Sequence, residues 1–205
     1  MNSVSLFSGI GGFDYALENN GIPVVATCEN DKKAQEVLKI HFPKAKHFSD
    51  IKTLTGEDLF NAGFKPNGII TGGFPCQDLS IAGKRQGLSK PNGEPTRSGL
   101  FWEFARILEE TKAQNFILEN VPGLLSSNQG RDFGIILTHL VGELGFGVGW
   151  RIFDSQFFQL PQRRKRVFIA GTLGNNWRTP AQVLDFKETS NWNFEQSKQK
   201  RQQTT

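Results

Sequence analysis

Short apolar runs alternate with apolar stripes at helical spacing along most of the chain. Val4-Ser5-Leu6-Phe7 predicts a strand. It enters a glycine turn, and Tyr15, Ala16 and Leu17 start a helix that stops near Asn19-Asn20-Gly21. Residues 23–28 predict a second strand ending in Glu29-Asn30-Asp31. Ala34, Val37, Leu38 and His41 recur at helical spacing, and Pro43 closes that helix. Lys46-His47-Phe48 predicts a brief third strand that ends at Asp50-Ile51, and residues 55–60 a short helix. Residues 67–71 predict a fourth strand. Leu100, Phe101, Phe104, Ile107 and Leu108 form one helix face, and residues 115–118 predict a fifth strand delivering Glu119. Phe133, Ile136, Leu137, Leu140, Val141 and Leu144 form another helix face, ended by Gly145. Residues 147–153 and 166–171 predict the last two strands. Strands alternating with helices predict an α/β fold, a mostly parallel sheet with helices on both faces.

The pattern fails in two places. Residues 83–97 carry Gly, Pro, Lys and Arg with no period, which predicts a long mobile loop, and loops of that length are more often functional than idle. From about Lys187 the composition turns polar, so the expected division is one globular domain over 1–186 and a disordered tail over 187–205. The 205 residues are 37% hydrophobic, enough for one sizeable core. Lys+Arg 24 against Asp+Glu 20 gives a net charge of +4, which permits a nucleic-acid partner without demanding one. No apolar run is long enough for a membrane span, and the first residues lack a signal-peptide pattern, so a cytoplasmic location is expected. Two cysteines, Cys28 and Cys76, are too few for a zinc cage, and His41, His47 and His139 lack ligand spacing, so no metal is expected.

Three stretches carry chemistry. Gly9, Gly11 and Gly12 follow the first strand, and Glu29 lies 20 residues beyond Gly9, at the spacing that lets an acidic side chain meet a ribose. The pattern is Gly-x-Gly-Gly rather than Gly-x-Gly-x-x-Gly, which favours a nucleoside cofactor without a pyrophosphate over NAD. Gly72-Gly73-Phe74-Pro75 breaks the fourth strand and presents Cys76 at the sheet edge. If the fourth and fifth strands are neighbours, Cys76 and Glu119 share one pocket, as nucleophile and acid. The bland readings are a buried thiol and a surface carboxylate. Gln162-Arg163-Arg164-Lys165-Arg166 precedes the last strand, and strand alternation puts Arg164 and Arg166 on one side and Arg163 and Lys165 on the other. Its bland reading is a solvated charge run. Cys28 is expected to pack in the core.

Taken together, Leu6-Phe7-Ser8-Gly9-Ile10-Gly11-Gly12-Phe13, Gly72-Gly73-Phe74-Pro75-Cys76-Gln77, Glu119-Asn120-Val121 and Gln162-x-Arg164-x-Arg166 resemble, in order, motifs of the DNA (cytosine-5) methyltransferase family. The resemblance spans roughly residues 3–173. It implies a Rossmann-like methyltransferase fold and the use of S-adenosylmethionine, leaving S-adenosylhomocysteine. It implies double-stranded DNA as substrate, with Cys76 attacking C6 of a flipped-out cytosine so that C5 takes the methyl group. By the same resemblance Glu119 holds N3, Arg166 contacts O2 and Arg164 helps to position the site. The cofactor residues it implies are Phe7, Ser8, Gly9, Gly11, Gly12, Glu29, Asn30, Asp50, Ile51, Pro75 and Leu100. Residues 80–97 match the family's mobile catalytic loop, and Gln77, Ser80, Lys84, Arg85 and Arg97 are its candidate DNA contacts.

The family normally continues with a target-recognition domain and a returning C-terminal helix. Only the largely polar residues 172–205 follow Gly171 here. Three readings follow: a second chain supplies recognition, methylation is weakly specific, or the chain is an inactive remnant or subunit that binds cofactor or DNA. A tRNA cytosine substrate keeps the same chemistry. A dinucleotide oxidoreductase is the outlying alternative, because it leaves Cys76 and Glu119 without a role.

Overall fold

The structure, a computed structural model, describes residues 1–75, 99–158, 160–174 and 176–185. Cys76, Gln77, Ser80, Lys84, Arg85, Arg97 and the tail expected at 187–205 lie outside the described residues.

The apolar runs form a seven-stranded sheet: β1 (Ser3–Leu6), β2 (Val24–Cys28), β3 (Lys46–Phe48), β4 (Ile69–Gly72), β5 (Asn115–Asn120), β6 (Phe146–Asp154) and β7 (Lys165–Leu173). Their order is β3-β2-β1-β4-β5-β7-β6. The first five strands are parallel, and β7 runs antiparallel to both β5 and β6. Every residue of β1 and β4 is buried, as expected of inner strands covered on both faces. The order changes direction between β1 and β4, which leaves a crevice at the carboxyl edge of the sheet where open α/β proteins bind ligands.

Six helices cover the sheet among the described residues: α1 (Gly12–Asn19), α2 (Lys32–His41), α3 (Gly56–Asn61), α4 (Leu100–Thr111), α5 (Arg131–Leu137) and α6 (Arg178–Val183). Asp31 caps α2 by accepting the Ala34 N–H, and Thr55 with Asp58 forms a reciprocal capping box on α3. The main core joins Val4, Leu6, Ile70, Leu118, Val167 and Ile169 of the sheet to Phe101, Phe104, Ile107 and Leu108 of α4 and to Phe133 and Ile136 of α5. Phenylalanine rings link much of it edge to face: Phe74 on Phe101, and Phe104 on Phe116 on Phe146. A smaller cluster of Val24, Leu38, Phe42 and Ala45 holds α2. Ser5 and Thr71, neighbours in register, alternate with these core residues and belong to the other face, where the buried Asp14 of α1 meets Ser5.

Four details differ from the sequence pattern. On α2 the buried face is Ala34 and Leu38, continued by Phe42, while His41 is exposed, because Val24 and Ala45 draw Leu38 and Phe42 inward and leave position 41 on the rim of that cluster. The helix expected through Leu144 stops being α-helical at Leu137 and continues as a wider π-helical turn, Thr138–Glu143. That shifts the stripe, so Leu140 is buried while Val141 is exposed. β5 runs two residues further than expected, so Glu119 lies within the strand instead of after it. α6 has no apolar stripe in sequence. It fits because Gly147 and Gly149 of β6 lack side chains where residues 176–181 pass.

Candidate active site

The first half of the site is the glycine loop after β1. Phe7 and Gly9 both adopt left-handed backbone, at φ 56° and 55°. For a phenylalanine this is an uncommon conformation, of the kind that concentrates at functional loops. The Ser8 hydroxyl donates to the Ser5 carbonyl, and the Ser8 N–H donates to the Cys28 carbonyl, so Ser8 ties the ends of β1 and β2 together. Glu29 is half-buried. Its Oε2 accepts the Gly9 N–H at 2.7 Å and its Oε1 accepts the Asp31 N–H at 2.9 Å. Each oxygen retains a second lone pair, so the carboxylate can still accept from ribose hydroxyls.

A side chain at Gly9 or Gly12 would meet nothing within 4 Å, whereas one at Gly11 would press on Phe42, at 2.5 Å. Gly9 and Gly12 therefore border an open cradle. Gly11 is needed for packing the loop on α2. Asn30 and Asp50 are exposed, and Ile51 is buried. Asp50 organises its own turn, its Oδ1 accepting the Lys52 N–H. Leu100 packs half-buried on the main core, and Pro75 follows the end of β4. An open backbone, an acidic acceptor and an apolar wall fit a nucleoside cofactor.

The second half is built on β5 and β7. Because β7 is antiparallel, its first residues arrive where β4 and β5 end. Arg166 Nε lies 2.6 Å from Glu119 Oε1, and Arg164 Nη2 lies 3.8 Å from the same oxygen. All three side chains are partly exposed. Arg163 points elsewhere, with its Nε 3.8 Å from Asp154 Oδ2. The alternation expected for the basic run is therefore present, with Arg164 and Arg166 on the Glu119 side. Glu119 Oε2 is turned toward Gly73, 3.2 Å from where a Cβ would stand. The carboxylate is thus gripped on one oxygen and directed by the other at the turn that leads to Cys76.

Two further side chains hold the site together, and only the second carries no signal in sequence. Asn120 is buried at the end of β5; its Nδ2 reaches the Phe74 carbonyl at 3.4 Å and its Oδ1 accepts the Val121 N–H at 2.7 Å. It couples the Glu119 strand to the Gly73-Phe74-Pro75 turn, and its place beside Glu119 in the Glu-Asn-Val motif was the available signal. Arg106 of α4 donates to the Ile51 carbonyl at 2.8 Å and pairs with Glu103 and Glu110. Nothing in the sequence marked that contact, which spans 55 positions. Cys28 is buried as expected, and burial pushes its thiol up to about 12, so it is inert at neutral pH.

This strand order, with a glycine loop after β1 and an acid at the end of β2, defines a Rossmann-like fold of the S-adenosylmethionine-dependent methyltransferases. A methyltransferase encoded within an Escherichia coli prophage superposes with a TM-score of 0.68 at 25% identity, over 91% of this chain and 49% of that one. The Dnmt2 methyltransferase of S. pombe superposes at 0.63 with 26% identity, over 85% and 51%. The type II methyltransferase M.NgoBI of Neisseria gonorrhoeae is 38% identical over 173 residues, 84% of this chain and 51% of its own length. M.HaeII of Haemophilus aegyptius is 34% identical over 190 residues, 92% and 56%. Residues 1–205 match the C-5 cytosine-specific DNA methylase family, and the chain belongs to it. It spans between 38% and 56% of the length of the curated relatives it matches.

Proposed function

We propose that the protein transfers a methyl group to C5 of cytosine in duplex DNA. The observation that carries this reading is the Glu119–Arg166–Arg164 cluster, set at the carboxyl edge beside the turn into Cys76 and across the β1–β4 crevice from the glycine cradle. S-adenosylmethionine, held by Phe7, Ser8, Gly9, Gly12, Glu29, Asn30, Asp50, Ile51, Pro75 and Leu100, would supply the methyl group. Gly11 supports that loop from behind.

The chain's own residues then divide the work. Cys76, as thiolate, adds to C6 of the base, forming a carbon–sulfur bond and raising electron density at C5. Glu119 binds N3 and delivers a proton there, so negative charge does not accumulate on the ring. Arg166 neutralises charge at O2 while holding Glu119 in place, and Arg164 supports the same carboxylate. Once C5 carries the methyl group, loss of its proton to a base re-forms the C5–C6 double bond and expels the Cys76 sulfur as thiolate, while N3 returns its proton to Glu119. Gln77, Ser80, Lys84, Arg85 and Arg97 are the proposed DNA contacts.

Tritium transfer from labelled S-adenosylmethionine to duplex DNA tests the reading. Transfer is expected from the unmutated chain and none from Cys76→Ser. Glu119→Gln is expected to lose on the order of a hundredfold. Absence of transfer by the unmutated chain alone, restored by a second chain, would support a subunit that needs its recognition lobe from a partner. Label appearing on tRNA and not on duplex DNA would overturn the choice of substrate. Sequencing the methylated cytosines distinguishes a defined target from scattered ones.

A further inference from the structure

We propose that Asp154 and Ser155 form a polar latch that positions Arg164 against Glu119; the inference rests on the reading of that cluster as the base-contacting site. The β6–β7 ladder ends with the pair Asp154 and Lys165. Arg166 is inside the ladder, opposite Phe153, so strand pairing fixes its side. Arg164 precedes β7 and has no ladder partner. The apolar pattern that sets the register, Val167 and Ile169 in the core, also stops short of it.

Side chains replace the ladder there. The Arg164 N–H lies 3.2 Å from Asp154 Oδ1 and 3.1 Å from Ser155 Oγ. The Ser155 N–H donates to the Arg164 carbonyl at 3.0 Å, and the Ser155 hydroxyl donates to the Gln162 carbonyl at 2.6 Å. Asp154 also accepts the Gln156 N–H at 3.3 Å and its Nε2 at 2.8 Å. Asp154 is only 5% exposed, and a buried carboxylate is tolerated when such donors surround it. The backbone of the basic run is therefore pinned at 162 and again at 164. Asp154 draws Arg163 to its own side, and Arg164 is left aimed at Glu119. A one-residue slip of this segment would present Arg163 in its place.

Amide exchange at Arg164, read by NMR on the full chain, and methyl transfer to duplex DNA test the latch together. Asp154→Ala is expected to speed exchange at Arg164 at least tenfold and to lower transfer about tenfold. Asp154→Asn keeps an acceptor at Oδ1 and is expected to stay within about threefold of the unmutated chain in both readouts. Adding Asp154→Ala to Arg164→Ala should cost no further transfer, because the residue being positioned is already gone. Ser155→Ala, milder for the fold, should also speed exchange at Arg164. Unchanged exchange in both alanine variants, a full additional loss on the Arg164→Ala background, or Asn behaving like Ala would overturn the proposal. If the unmutated chain transfers nothing, alone or with a second chain, the functional reading fails and the exchange comparison alone decides the latch.

Discussion

At the scale of single residues, Asp14 makes a prediction that the chemistry does not require. Burial on α1 pushes its carboxyl up to about 6, against the lowering pull of the Ser5 hydroxyl, with Glu18 adding slightly to the rise. The folded state therefore prefers the neutral acid. Its contribution to stability is complete below the ordinary carboxylate range and is lost as pH climbs toward and through 6. The loss amounts to about 2–3 kcal/mol. Asp14→Asn should remove this dependence, leaving melting temperatures at pH 4.5 and pH 8 closer together than in the unmutated chain and raising stability at pH 8. Equal pH dependence in the two proteins would refute the assignment. Gly171 makes a second prediction: a Cβ there would run into the Phe116 ring. Gly171→Ala should cost about 1–3 kcal/mol in denaturant unfolding.

At the scale of elements, the contact between α4 and the turn after β3 links packing to cofactor affinity. Arg106 holds the Ile51 carbonyl, while Glu110 accepts the Gly56 N–H at 2.7 Å, so one helix face fixes both ends of the turn. Arg106→Ala should weaken S-adenosylhomocysteine binding about tenfold by calorimetry. An unchanged affinity would detach α4 from the site.

Elements also show what the sequence could reveal. β3 falls at Lys46–Phe48 as the pattern predicts, and the buried face of α4 is the predicted one, because a short run and a helical stripe are local signals. The alternation of Arg164 and Arg166 was legible for the same reason. The side they face follows from the motif resemblance and not from the alternation, since it depends on β7 pairing with β5 across about fifty residues. α6 and the Arg106 contact escaped because they depend on glycines and carbonyls distant in sequence. The π-helical turn leaves only a broken stripe. Within the candidate site, spacing singles out Glu29 and the motif resemblance Glu119, but only three-dimensional packing separates Gly11 from its neighbours.

At the scale of the whole molecule, the net charge of +4 and the exposed basic run make the proposed DNA affinity an electrostatic quantity. Duplex affinity should fall linearly with the logarithm of salt concentration. Arg163→Ala with Lys165→Ala should lower that slope by about 1–2, uniformly across DNA sequences. A slope unchanged by both substitutions would place the backbone contacts elsewhere.

The position of β7 between β5 and β6 has a consequence for how the chain matures. The strand that covers β5 is the last of the described strands to be made. Until residue 173 has left the ribosome, Asn115–Asn120 is a bare edge carrying the apolar Phe116, Ile117 and Leu118, open to pairing with any other extended chain. The β6–β7 hairpin is thus also a cap against aggregation. A nascent chain released before Lys165 would expose that edge, and Arg166, which grips Glu119, arrives on the same strand that covers it.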